Sequence, residues 1–171
     1  MHDAATQEIR RLHKKVAAAD RRIAVMALPG KVAQVDPDRR MLRLKIGKTA
    51  NGEDILGPWV RWQEATAGGM RIHSEPAIGE QMILSSQSGT VGEASIAMPG
   101  TYDKDHAAPS KSSDTAVFER GARIEISQDG VLVVGNFRAV DGVFEHDGKD
   151  VGKDHKHKGV VPGGGISLEP V

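Results

Sequence analysis

Two histidines one residue apart, His155 and His157, lie in the run Asp154-His155-Lys156-His157-Lys158-Gly159, which continues as Val160-Val161-Pro162-Gly163-Gly164-Gly165. On an extended strand residues i and i+2 face the same side, so both imidazoles can approach one ion. Two ligands are too few for a closed metal site, and the economical source of the rest is the same pair on symmetry-related copies of the chain. The competing reading of any His-x-His pair is an exposed strand or loop that binds nothing. The remaining histidines carry less chemistry. His146 falls among the tail strands and reads as a surface residue, His106 as a solvated one, and His2, His13 and His73 have no partner spacing. Asp103, Asp105 and His106 mimic a hydrolase or calcium cluster, but Asp-x-Asp alone is a weak signal and the EF-hand loop pattern is absent. There is no P-loop, no Gly-x-Ser-x-Gly and no His-Glu-x-x-His.

Composition narrows what elements could position such a pair. The 171 residues hold 23 Lys+Arg against 23 Asp+Glu, whereas a non-specific nucleic-acid binder would carry a basic excess. Six aromatics, Trp59, Trp62, Tyr102, Phe118, Phe137 and Phe144, leave little bulk for several cores, and 20 glycines point to turns and β-structure. The absence of cysteine excludes disulfides and thiolate metal sites. No apolar run is long enough to span a bilayer and the N-terminus lacks the apolar core of a signal peptide, so synthesis in the cytosol as a soluble product is expected.

Three stretches of different periodicity follow one another. Ile9, Leu12, Val16, Ala19, Ile23 and Met26 are spaced 3, 4, 3, 4 and 3, the a and d positions of a heptad, and predict a helix over 1–28 that Pro29-Gly30 stops. With Ile9 at a, parallel copies would pair Glu8 with His13 and Lys15 with Asp20. An amphipathic helix packed on its own domain fits the same spacing, and the helix does not fix a copy number. Over 29–99 short alternating segments predict strands at Lys31–Val35, Met41–Ile46, Trp59–Glu64, Gln81–Ser85 and Ala94–Met98. Turns at Asp36-Pro37-Asp38, Asn51-Gly52 and Ser88-Gly89 separate them. Five short strands suit a small barrel of the OB type, whose usual ligands are oligonucleotides and oligosaccharides. Trp59 and Trp62 have opposite strand parity, so they cannot both face a ligand, and at least one is expected in the core.

Residues 100–114 are polar, small and aperiodic and read as a linker. Beyond them, over 115–171, strand-like pieces at Ala116–Glu119, Arg123–Ser127, Val131–Val134 and Val143–Phe144 alternate with Asp-Gly turns. Such a stretch has too few large side chains for its own core. Strands of several identical chains wrapped about one axis would bury its apolar faces.

Helix, small barrel, linker and glycine-punctuated β-tail closing on His-x-His form an order that resembles the central spike proteins of contractile phage tails, the baseplate assembly protein V family. Trp59, the Ala67-Gly68-Gly69 turn, Pro76-Ala77-Ile78-Gly79-Glu80-Gln81 and Gly89 are similar to that family's barrel pattern. His155-Lys156-His157-Lys158-Gly159-Val160-Val161-Pro162-Gly163 is similar to its apex. The resemblance implies a mainly β homotrimer with an N-terminal helix, an OB-fold barrel and a C-terminal triple-stranded intertwined β-helix, or β-prism. It implies a non-enzymatic spike at the tip of the tail baseplate, made in the host cytoplasm and driven through the bacterial outer membrane toward the periplasm. Its partners would be baseplate hub and tail tube proteins and, transiently, that membrane, with no specific nucleic acid. His155 and His157 of three chains would together hold one Fe ion. Six imidazoles make an octahedral set that would also take Co, Ni or Zn, so iron is implied by the family and not selected by ligand chemistry. Lys156 and Lys158 depart from the family's usual small or polar residues.

Two readings from other classes fit the same residues. One is a metal-dependent cell-wall glycan hydrolase using His155, His157 and Asp154 around an open metal. The other is an OB-type module binding nucleic acid or glycan.

Overall fold

A computed structural model of the chain describes residues 2–152. They fall into two compact units that divide between Pro109 and Ser110. The first unit begins with helix α1 (His2–Ala24). Strands β1 (Ala27–Asp36), β2 (Met41–Lys48), β3 (Asp54–Leu56) and β4 (Val60–Trp62) follow, then β5 (Thr66–Ala67), β6 (Arg71–Ile72), β7 (Gln81–Ser85) and β8 (Ile96–Pro99). The second unit contains β9 (Ala116–Arg120), β10 (Ala122–Ser127), β11 (Gly130–Val134), β12 (Glu145–His146) and β13 (Lys149–Asp150).

The first unit is built on alternation. In Met41-Leu42-Arg43-Leu44-Lys45-Ile46 the even positions turn inward, and Leu42 and Leu44 are essentially inaccessible. Val32, Val60, Trp62, Met82, Leu84 and Ala97 close around them, with Leu28, Val35, Ile46 and Val91 packed at the margin. The sheet order β1-β7-β8-β4-β2, with β1 pairing back to β2, closes a five-strand barrel and leaves β3 on its outside. The β4–β8 pair is parallel and the others are antiparallel. This is a mainly β chain with one N-terminal helix and an OB-like barrel, as the sequence pattern predicts.

Two local expectations differ from the structure. The helix ends at Ala24, five residues before Pro29, with bonds of three-residue span from Val25 N–H to Arg22 O and from Met26 N–H to Ile23 O. Pro29 and Gly30 instead lie inside β1, opposite Ile83 and Met82 of β7. Pairing of β1 with β2 begins only at Lys31, so at Pro29 the strand has one neighbour, and an edge position tolerates a residue with no N–H. In the second unit Val143 and Phe144 are not a strand but precede β12. The ring of Phe144 packs against that of Phe137, with centroids 6.0 Å apart.

Strands β9, β10 and β11 form an antiparallel sheet in the order β11-β10-β9. The hairpin of β12 and β13 turns on Asp147 (φ 49°) and Gly148 (φ 70°). Two successive positive φ angles define a type I′ turn, whose twist matches that of the strands it joins.

Candidate functional site

Polar side chains in the first unit are engaged in fastening the barrel. Glu64, just after β4, receives three groups at one carboxylate oxygen, Oε1. Trp62 Nε1 donates at 3.0 Å, His73 Nδ1 lies at 2.7 Å, and the Arg40 guanidinium donates from the turn between β1 and β2. The N–H of Ser74 donates to Oε2 at 3.1 Å. The bond to His73 foremost, with those from Ser74 and Trp62, holds the Glu64 carboxyl down to about 2. A carboxylate with so many donors is stabilised as an anion and is a poor proton acceptor. It ties β4 to the segment after β6. Thus His73, which has no spacing signal in the sequence, is matched by a residue nine positions away.

A second fastener occupies the Asp103, Asp105 and His106 cluster. Lys31 Nζ sits 2.7 Å from Asp103 Oδ2 and 2.8 Å from Asp105 Oδ2. The other oxygen of Asp103 accepts the N–H groups of Asp105 and His106 at 2.9 and 2.8 Å. Lys31 is the main reason that the Asp103 carboxyl is lowered to about 2. The cation of this cluster is a lysine, so its resemblance to a calcium loop or hydrolase dyad has a structural cause. His106 is half-buried and not the solvated residue expected; its Cε1 lies 3.3 Å from the space a side chain at Gly79 would fill. The first part of the presumed linker is therefore held on the barrel, where Gly100 N–H also donates to Gln81 O.

The tryptophans divide as their parity requires. Trp62 is core, at 7% exposure. Trp59 is half-buried, with the guanidinium groups of Arg39 and Arg43 at 5.8 and 6.0 Å from its ring centroid. Neither indole offers a bare stacking surface for a base or sugar.

The second unit has the opposite character. Register places Ile124 of β10 between Phe118 of β9 and Val133 of β11, and Ile126 between Ala116 and Val131. These residues share one face, since directly paired residues point the same way. Phe118 is 62% exposed, Val131 67%, and Ile124, Ile126 and Val133 at least 40%. On the reverse face Arg123 bridges Glu119 at 3.0 Å and Glu125 of its own strand, beside Leu132 and Val134. The half-covered residues of β10 are thus Arg123, Glu125 and Ser127, while its isoleucines face water. In the chain taken alone, the apolar side is the more exposed one.

His155 and His157 lie outside the described residues, as does Asp154. Among the described residues no group of three or more His, Cys, Asp or Glu is placed to hold a metal ion.

Residues 28–102, which take in all of the barrel but the first residue of β1, match the family model of the Type VI secretion system/phage-baseplate injector OB domain. This segment belongs to that family. No curated protein matches the chain. The injector OB domain includes each barrel motif of the sequence resemblance, and the structure gives two of them a role. Ala67-Gly68-Gly69-Met70 turns the β5–β6 hairpin. Pro76-Ala77-Ile78-Gly79-Glu80 is a turn in which Glu80 Oε2 accepts the Ala77 N–H at 2.8 Å, Glu80 N–H donates to Ala77 O, and Gly79 N–H donates to Val32 O of β1. That turn delivers the chain into β7. The injector OB domain is a structural baseplate module, and the tail sheet lies beyond the matched segment.

Proposed function

We infer that this chain is one subunit of a homotrimeric, non-enzymatic spike at the centre of a contractile-tail baseplate, which pierces a bacterial outer membrane when the tail contracts. The observation that carries this reading is the bare apolar face of Phe118, Ile124, Ile126, Val131 and Val133, joined in one chain to an injector OB domain. A sheet that is apolar on one face must bury that face against another layer, and the same strands from identical chains would cover it. The partners that follow from this are two further copies of the chain, the hub and tube of the baseplate, and the host membrane in passing.

The tip chemistry belongs to the same reading. His155 and His157 of three chains would supply six imidazole nitrogens to one ion, with iron as the family's metal. A shell filled by protein leaves no position for water or substrate, so such a site would hold the three chain ends together without catalysing anything. Ligands drawn from three chains coincide only in the assembly, which couples metal binding to trimer formation.

The test is mass in solution combined with elemental analysis of the purified full-length protein. Three chains and one metal ion per particle are expected; a monomer at micromolar concentration would sink the reading. Replacing both His155 and His157 by alanine should remove the metal and leave the barrel folded. Unchanged metal content in that variant would refute the tip assignment, and one exchangeable metal per chain would favour an enzyme.

A further inference from the structure

Helix α1 presents a second apolar surface, at the far end of the sequence from the tail. Ile9, Leu12, Val16 and Ile23 are between 48 and 65% exposed, although they repeat at heptad spacing. The barrel does not cover them because it meets a different side of the helix. Gly89, at φ 67°, has no side chain where one would come within 2.6 Å of Arg22 Cβ and 2.8 Å of Arg22 O. Ser86 N–H meanwhile bonds Met26 O. The loop after β7 is thereby set against the last turn of the helix at Arg22. Ala18, the half-buried residue of the helix, lies one turn earlier on that side. At about 100° per residue, the Ala18–Arg22 side lies roughly 120° around the helix from the centre of the apolar stripe.

We propose that α1 pairs in parallel and in register with the same helix of other copies of this chain, so that the stripe becomes the seam of a coiled coil. Its width is the first reason. A helix that packs on a globular core shows apolar residues at a, d and a flanking e or g position, whereas here e and g are Glu8, His13, Lys15, Asp20 and Arg22, which leaves the narrow a/d seam of a coiled coil. Charge is the second. In a parallel pair, g of one helix meets e of the next heptad on its neighbour, which sets Lys15 against Asp20. Among the described residues neither of these has an ion-pair partner within the chain, whereas Glu8 already holds Arg11 at 2.8 Å. The third is stability, since a few heptads are marginal alone and the barrel fixes the C-terminal end of each helix. This rests on the oligomer inferred above only for its copy number. It adds a self-association element that does not depend on the metal.

The chain contains no cysteine, so single cysteines report the geometry directly. Leu12→Cys, at d, and Lys14→Cys, at f, would be made in the full-length protein and oxidised gently. Their mass in solution would be measured in parallel. Disulfides need Cα atoms within about 4–7 Å of each other, a separation that like d positions reach in a parallel coil and f positions do not. Cross-linking several-fold greater at position 12 than at position 14, and persisting when His155 and His157 are alanine, is the expected result. A three-chain particle that cross-links equally at both positions, or not at all at position 12, overturns the coil and leaves the tail assembly standing. Cross-links formed only when Leu12→Cys chains are mixed with Ile23→Cys chains indicate antiparallel packing and overturn it too. A monomer without cross-links overturns both readings.

Discussion

The two units of this chain are both β-rich and differ in where burial is completed. In the barrel, alternation, closure and core agree: Leu42, Leu44, Val60, Met82 and Leu84 are each at most 1% exposed, and β1 pairs back to β2. In the tail sheet the alternation is as regular, yet every residue of β11 is exposed. The same local rule produces a finished core in one unit and an unfinished face in the other. Strand propensity and turn chemistry specify a sheet; a second layer is needed to stabilise it. The barrel supplies that layer from its own strands; among the described residues the tail sheet has none, and its apolar face stays exposed.

A charge on the tail face is the strongest way to break this comparison. In a chain whose α1 seam also carries a charge (Leu12→Asp), Ile124→Asp should reduce the particle to a smaller species, since on the trimeric reading it sets a carboxylate among Phe118, Val133 and their counterparts on neighbouring chains. The barrel should unfold at an unchanged denaturant concentration. Retention of the full oligomer mass in this variant would mean that the face is not buried in the assembly. Leu44→Ala addresses the other unit. Loss of a fully buried leucine should cost the barrel about 2–5 kcal/mol, read as a shift of its unfolding midpoint that is independent of protein concentration. A tail transition that moves with concentration, beside a barrel transition that does not, would sharpen the contrast into a thermodynamic one.

What was legible in the sequence follows the range of the interactions involved. The strand Met41–Ile46 and the hairpin turn at Asn51-Gly52 depend on neighbours in sequence, and the structure shows both. Short elements were not legible. The three residues of β3 and the two-residue strands β5 and β6 exist because of backbone bonds to partners, with no periodicity to announce them. Nor was the Glu64 cluster, where Arg40 and His73 are 24 and 9 residues from the carboxylate they share. Trp59 and Trp62 could be separated by parity, but which of them is core depends on closure of the barrel. The His155 and His157 pair was readable only as a motif, and it lies outside the described residues.

The finest test concerns how the barrel fixes a polar group that local sequence could not pair. Glu64→Gln keeps the shape and removes the charge that His73, Arg40 and Trp62 address, and should cost about 1–3 kcal/mol at neutral pH. The direction with pH follows from the carboxyl's shift from an ordinary 4.5 down to about 2 in the folded protein. Folding favours the ionised form, so the contribution is complete above the ordinary value and is lost as pH falls toward about 2. The gap between the native chain and Glu64→Gln should therefore be widest at neutral pH and narrow progressively in acid. Asp103, lowered to about 2 chiefly by Lys31, gives both proteins a shared acid sensitivity that the difference between them cancels. Denaturation curves collected from neutral to acid pH measure that difference directly. A gap that stays constant through the acid range would mean that the charge of Glu64 is not what fastens β4 to the segment after β6. The Glu64 cluster would then contribute through shape alone, as the apolar core of the barrel does.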